Sequence, residues 1–296
     1  MVGGLSLLPL APRLGLDRRP VRDAGKTNQM TGTRPSDSWD AGDPYEQYVG
    51  RWSHLAACEF LAWLNLPPSL RWLEVGCGTG ALTAAISERC RPARLIGIDP
   101  SEGFLAKARV RLGSKATFRV ANALDLPVQD AEADVVVSGL VLNFVPDTAS
   151  GLAEMRRAAI PGGTIAGYVW DYAGKMELMR QFWDAAVDLD PAVRELDEGV
   201  RFPLCRPDAL AGAFRHANLT AVDVVPIDVP TRFRDFDDYW SPFLGGQGPA
   251  PSYAMSLDEA SRNRLRDRIR ERLPRQSDGS IRMVARAWAI RSRVPE

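Results

Sequence analysis

Three glycines in five residues, Gly76-Cys77-Gly78-Thr79-Gly80, stand between an apolar run carrying an acid, Trp72-Leu73-Glu74-Val75, and a segment of helical pattern. Nineteen residues after Gly80, a second apolar run, Leu95-Ile96-Gly97-Ile98, ends in Asp99. Glycine lets a backbone turn sharply and approach a ligand with no Cβ in the way. Such a turn also presents the positive end of the helix that follows it. An acid at the tip of the next strand is placed to accept hydrogen bonds from ribose hydroxyls. Together these residues have the chemistry to hold a nucleoside.

Two nucleoside ligands compete for this corner. Gly76, Gly78 and Ala81 fit the dinucleotide pattern G-x-G-x-x-G/A, with Asp99 at a suitable distance, which is the NAD(P)-dependent oxidoreductase reading. Glu74, two residues before the first glycine, is an awkward neighbour for a pyrophosphate and suits a ligand bearing an ammonium group and a sulfonium centre.

The elements that must position this corner alternate between strand and helix, the signature of a doubly wound α/β sheet. The pattern predicts strands at 71–75, 94–98, 116–120, 133–138 and 163–169, with helices at 79–90, 101–112 and 148–159 and only a short turn near 123. An opening helix is predicted from Tyr45 to Leu66, stopped by Pro67-Pro68, and Pro161-Gly162-Gly163 is predicted as a tight turn into the fifth strand. Helices follow at 176–189 and 207–217, and strands at 220–229 and 281–291. The Gly/Pro-rich segment 240–251 reads as a loop, and Ser256-Leu257-Asp258-Glu259 has the form of a capping box opening a helix with Leu257, Leu265, Ile269 and Leu273 on its apolar side. The expected fold is a three-layer α/β/α sandwich around a doubly wound, seven-stranded, mostly parallel sheet whose last strand is antiparallel.

Beyond the glycine corner, the ordered motifs Gly97-Ile98-Asp99-Pro100-Ser101, Ala121-Asn122-Ala123-Leu124-Asp125-Leu126-Pro127, Asp134-Val135-Val136-Val137-Ser138 and Met155-Arg156-Arg157 before Pro161-Gly162-Gly163 complete a set. With Leu73 to Gly80, they make the chain resemble the class I S-adenosylmethionine-dependent methyltransferases, in particular the small-molecule branch that includes the ubiquinone/menaquinone-biosynthesis type. The resemblance is close from Tyr45 to Asp171 and looser beyond. It implies S-adenosylmethionine as cofactor and a small-molecule methyl acceptor. It also carries cofactor-binding positions over to Glu74, Gly76, Cys77, Gly78, Gly80, Asp99, Pro100, Asn122, Ala123 and Ser138. The glycine loop would hold the methionine part, Asp99 the ribose, and Asn122 with Ala123 the adenine; many relatives have Asp where Asn122 stands. Glu46 to Ser53 resembles the family's entry helix, from which Tyr48 could reach the cofactor and Arg51 pair with its carboxylate. A catalytically silent cofactor-binding module is the further alternative.

In-line methyl transfer needs positioning more than acid–base chemistry, and a base only where the acceptor must lose a proton. Asn143, Trp170 and Asp171 follow strands whose ends face the cleft, and of these only Asp171 ionises. It is the candidate catalytic residue, weighed against a role as a turn cap. Asn143, Trp170, Trp240 and Phe243 are candidate acceptor contacts, the last two beneath a loop with glycine hinges, balanced against a structural loop folded on the sheet. His54, His216 and Cys77 read as structural.

Composition sets the remaining bounds. Lys+Arg and Asp+Glu balance at 37 each, so no net field favours nucleic acid, and the Arg-rich run 262–272 reads as a solvated helix because Asp267 and Glu271 interrupt it. Four cysteines without CxxC spacing and only two histidines predict reduced thiols, no metal site and a cytoplasmic protein. No apolar run reaches the ~20 residues of a membrane span, and Leu5 to Leu10 lacks the flanks of a signal peptide. Residues 1–40 read as a disordered lead-in, with Met30 an alternative start. Residues 41–296 read as one domain with acceptor-pocket insertions at about 172–218 and 230–279. The sequence leaves oligomeric state, and transfer to O, N or C, open.

Overall fold

The computed structural model of the chain describes residues 46–246 and 248–296, so the expected lead-in at 1–40 and Met30 lie outside the described residues. Seven strands form one sheet in the order β3-β2-β1-β4-β5-β7-β6. They are β1 (Arg71–Val75), β2 (Arg94–Asp99), β3 (Thr117–Val120), β4 (Ala133–Gly139), β5 (Ala159–Trp170), β6 (Thr220–Phe233) and β7 (Ile281–Arg293). β1 to β5 pair in parallel, and β7 runs antiparallel to both β5 and β6. The central strands are apolar on both faces, as a sheet covered by helices requires: Leu73, Val75, Ile96, Ile98, Val136, Val137, Ile165 and Ala166 are all buried.

The helices are α1 (Arg51–Leu64), α2 (Ala81–Arg89), α3 (Glu102–Leu112), α4 (Thr148–Ala158), α5 (Glu177–Leu189), α6 (Glu198–Arg201), α7 (Pro207–His216), α8 (Phe236–Trp240), α9 (Pro249–Ser256) and α10 (Glu259–Arg272). α1 packs on α2 and α2 on α3, while α4 packs on α7, which completes the α/β/α sandwich. Two of the sheet-packing helices begin at side-chain caps: Ser101 accepts from the Phe104 N–H ahead of α3, and Asp147 from the Ser150 N–H ahead of α4.

Four expectations are corrected. The opening helix starts as a π-turn over Glu46–Gly50 before α1. Pro161-Gly162-Gly163 is no turn before β5 but a bulge within it. The pairing moves from Ala133↔Ala159 to Val135↔Thr164, two residues on β4 against five on β5, with Gly162 at φ +71 taking up the excess. α10 is capped by Asp258, which accepts from the Ser261 N–H, while the Ser256 hydroxyl donates to the Tyr253 carbonyl instead. The segment 240–251 is largely helical, comprising the end of α8, a 3₁₀ turn at Ser241–Gly245 and the start of α9. The arginines of α10 serve tertiary structure: Arg268 and Arg272 both reach Asp188 on α5, at 2.9 and 2.7 Å. Leu265, Ile269 and Leu273 are buried beneath them.

Candidate active site

The carboxyl ends of β1, β2 and β4 open onto a cavity of about 840 Å³. This is where an open α/β sheet binds ligands, because the loops there diverge. Its floor is tied down by backbone. Gly76 and Cys77 donate from their N–H groups to the Ile98 carbonyl at 2.8 and 2.9 Å, stitching the glycine loop to the tip of β2. Gly76 has φ +75, and a Cβ there would stand 2.5 Å from a methyl of Val141, so only glycine fits. A Cβ on Gly78 would meet no protein atom within 4 Å, and Gly78 lines the cavity, so the backbone lies bare to a ligand.

Asp99 accepts from the Gly78 N–H at 2.9 Å through one oxygen and from the Ser101 N–H at 2.9 Å through the other. Burial raises its pKa and the two backbone donors oppose that rise. Each carboxylate oxygen keeps a further lone pair for a ligand hydroxyl. Glu74 is 1 % exposed, lines the cavity and accepts from the Thr83 hydroxyl at 2.6 Å. Burial, with a smaller push from the Asp99 charge, raises Glu74 to about 8 although the Thr83 bond pulls the other way. Because the folded protein holds this proton more tightly than the unfolded chain, the associated stability is fully present below the ordinary value of 4.5. It is lost as pH rises through about 8. Glu74→Gln, which has no proton to lose, is expected to flatten the fall in melting temperature across that window. Scanning fluorimetry over a buffer series measures it, and an unchanged slope would exclude Glu74 as its source.

Of the positions expected from sequence, Glu74, Gly76, Cys77, Gly78, Asp99, Pro100, Asn122, Ala123 and Trp170 line this one cavity. The amide oxygen of Asn122 already accepts from the Leu124 N–H at 2.8 Å, fixing the turn that presents Ala123. Cys77 is 4 % exposed and burial pushes its thiol up, so it packs rather than reacts.

The remaining candidates lie elsewhere, each for a physical reason. Gly80 faces α3, where a Cβ would meet Leu112 at 2.9 Å. Ser138 is fully buried within β4. The Tyr48 hydroxyl donates to the Met179 sulfur, and its ring packs on Phe243, while the next residue, Val49, takes the cavity position. Arg51 pairs with Asp238 at 3.0 Å and lies over the rings of Trp52 and Phe233. Asn143 yields to its neighbour Phe144, which lines the cavity. Asp171 accepts from the Lys175 N–H at 2.9 Å and closes the turn after β5, the cap role rather than a place in the cleft. Trp240 and Phe243 join Phe182, Phe236 and Tyr239 in a packed aromatic cluster, Phe243 stacking on Phe182 at 4.6 Å. The loop around them is therefore structural. The segment 172–218 supplies Tyr172 to the lining, whereas 230–279 supplies no lining residue among those described. His54 sits exposed on α1, with its ring 3.5 Å from the Cys58 sulfur, and His216 ends α7.

The sequence reading missed Ser53, Thr79, Ser101, Phe144, Tyr168 and Tyr172, all of which line the cavity. Strand alternation could have found Tyr168, since Trp170 two residues on shares its face.

A seven-stranded sheet with this order and an acid-tipped, glycine-floored cleft defines a Rossmann-like nucleoside-cofactor protein. Its fold is that of the YcgJ protein of Bacillus subtilis, with TM-score 0.56 at 17 % identity over 82 % of this chain and 99 % of that one. A family model described as "Methyltransferase domain" matches residues 73–167. The trans-aconitate 2-methyltransferase of Methylobacterium radiotolerans is 31 % identical over 221 residues, covering 69 % of this chain and 84 % of the relative. That of Variovorax paradoxus is 34 % identical over 110 residues, or 37 % of this chain, and the match spans only 42 % of the relative's length. The chain belongs to the class I S-adenosylmethionine-dependent methyltransferase family.

Proposed function

We propose that this protein transfers a methyl group from S-adenosylmethionine to a small-molecule acceptor. The observation that carries the reading is one continuous cavity joining an acidic, glycine-floored end at Glu74, Gly78 and Asp99 to an aromatic end at Phe144, Tyr168, Trp170 and Tyr172. The residues suit the cofactor: the bare backbone of Gly78 leaves room for it, Asp99 offers free lone pairs to a ribose, and Glu74 is a carboxyl for the amino-acid ammonium. When bound, the cofactor supplies a methyl on a positively charged sulfur; the acceptor's lone pair takes the carbon as the carbon–sulfur electrons pass to sulfur.

The protein's own part is to orient and to exclude water. Asp99, held by two backbone donors, presents a fixed acceptor pair to the ribose. Asn122 and Ala123 flank the adenine position on a turn locked by the Leu124 N–H. Leu140 and Val141 add apolar lining to the cavity, which disfavours water there. The four cysteines are unpaired, which supports a reducing, cytoplasmic setting. Among the described residues no helix is long and apolar enough to cross a membrane.

Calorimetry with S-adenosylhomocysteine and with NADH tests the cofactor assignment. Micromolar binding of the former and none of the latter is the expected outcome; the reverse order would return the site to the dinucleotide reading.

A further inference from the structure

The aromatic end of the cavity carries information about the acceptor. Tyr168 and Trp170 stand two residues apart on β5 and share a face, with Tyr172 just beyond and Phe144 opposite on the β4 side. Three of the four rings are held by further rings: Tyr168 packs on Phe60 at 4.8 Å, and Tyr172 and Phe144 both pack on Phe202, at 5.7 and 5.1 Å, while Trp170 is 2 % exposed. Rings fixed in this way form a preformed apolar slot, with little ordering left for a ligand to impose.

The charges around the slot are equally definite. Among the described lining residues no Lys, Arg or His appears; Glu74 and Asp99 are both acids, and Glu74 keeps its proton until pH rises toward about 8. Two cations that touch the residues of the aromatic wall or their neighbours are engaged there. Arg180 donates to the Tyr172 carbonyl at 2.9 Å and pairs with Asp197 at 2.6 Å, while Arg201 lies 5.2 Å over the outer face of Phe202. A carboxylate entering the slot would shed its water against electron-rich ring faces with no cation among the described lining residues to meet it, in a cavity that also holds the Asp99 carboxyl. A flat neutral ring would instead stack and release water.

We infer that the acceptor is a flat aromatic molecule carrying no negative charge, and that this site rejects carboxylates, including a tricarboxylate of the trans-aconitate type. The inference rests on the methyltransferase reading above for its meaning, but its test does not depend on it.

Calorimetry of the full chain, with and without saturating S-adenosylhomocysteine, compares two matched pairs, 2-naphthol with 2-naphthoate and phenol with benzoate, and adds trans-aconitate. The hydroxyl member is expected to bind at least about tenfold more tightly than its carboxylate partner, with trans-aconitate weaker still. Trp170→Ala and Phe144→Ala should each weaken the naphthol by about fivefold or more while leaving S-adenosylhomocysteine affinity within about twofold, and Trp170→Phe should restore binding. Carboxylates binding as tightly as the phenols, no binding by either pair, or wall variants without effect would overturn the proposal. Failure of S-adenosylhomocysteine alone to bind would overturn the cofactor assignment, while the paired comparison without it would still decide the chemistry of the slot.

Discussion

Asp99→Ala is expected to weaken S-adenosylhomocysteine binding by about two orders of magnitude or more. A hydrogen bond to a charged group is worth roughly 1.5–3 kcal/mol, and Asp99 offers one to each of two ribose hydroxyls. About 3 kcal/mol in total corresponds to about a hundredfold in the dissociation constant. The side chain has a second task, since its oxygens also hold the Gly78 and Ser101 N–H groups and so shape both the glycine loop and the entry to α3. Asp99→Asn keeps one acceptor oxygen but turns an NH₂ toward one of those backbone donors. Its affinity should therefore fall between the parent and the Ala variant. Calorimetric titration of the three proteins decides it: an Ala variant within threefold of the parent would remove Asp99 from the site.

Gly76→Ala is expected to damage both stability and cofactor binding. The residue sits at φ +75, where a side chain is disfavoured by about 1 kcal/mol. The added Cβ would lie 2.5 Å from one Val141 methyl and 2.7 Å from the other, an overlap that a β-branched side chain on this wall cannot relieve by rotation. Overpacking of this kind costs about 1–3 kcal/mol, so a total of about 2–4 kcal/mol should lower the melting temperature by roughly 5–12 °C. The double variant Gly76→Ala/Val141→Ala separates the two causes. It should recover the part due to the clash and leave the backbone part, together with weakened S-adenosylhomocysteine binding. Equal melting temperatures for the single and double variants would show that the Val141 contact is not the cause.

The central strands β1, β2 and β4 were legible because each is a short, mostly apolar run bounded by Gly or acid, and the observed strand limits differ from expectation by only a few residues in most cases. The glycine corner was legible for a related reason. Gly76, Gly78, Asp99 and their backbone bonds lie within 24 residues from Gly76 to Asp99, and adjacent parallel strands bring the two ends together. Tyr48 and Arg51 show where this locality ends. Both are in the entry segment that the resemblance placed over the cofactor, but their partners, Met179 and Asp238, lie 131 and 187 residues away. Nothing near Tyr48 in the chain signals a buried sulfur waiting for its hydroxyl.

Trp240 and Phe243 show a limit of composition. An aromatic-rich Gly/Pro segment is equally compatible with a binding loop and with a core, since both bury rings. Only packing against Phe182 and Tyr239 assigns these two to the core. The sequence by itself determined the order of strands and helices and the glycines and acids that line the cavity, because backbone conformation and apolar periodicity are local properties. The tertiary structure decided which further rings, Phe144, Tyr168 and Tyr172, join Trp170 in lining the cavity. Side chains from β5, the turn after it and the β4 loop form one wall only once the sheet is assembled, and a ring's environment is set by distant neighbours rather than by the residues beside it.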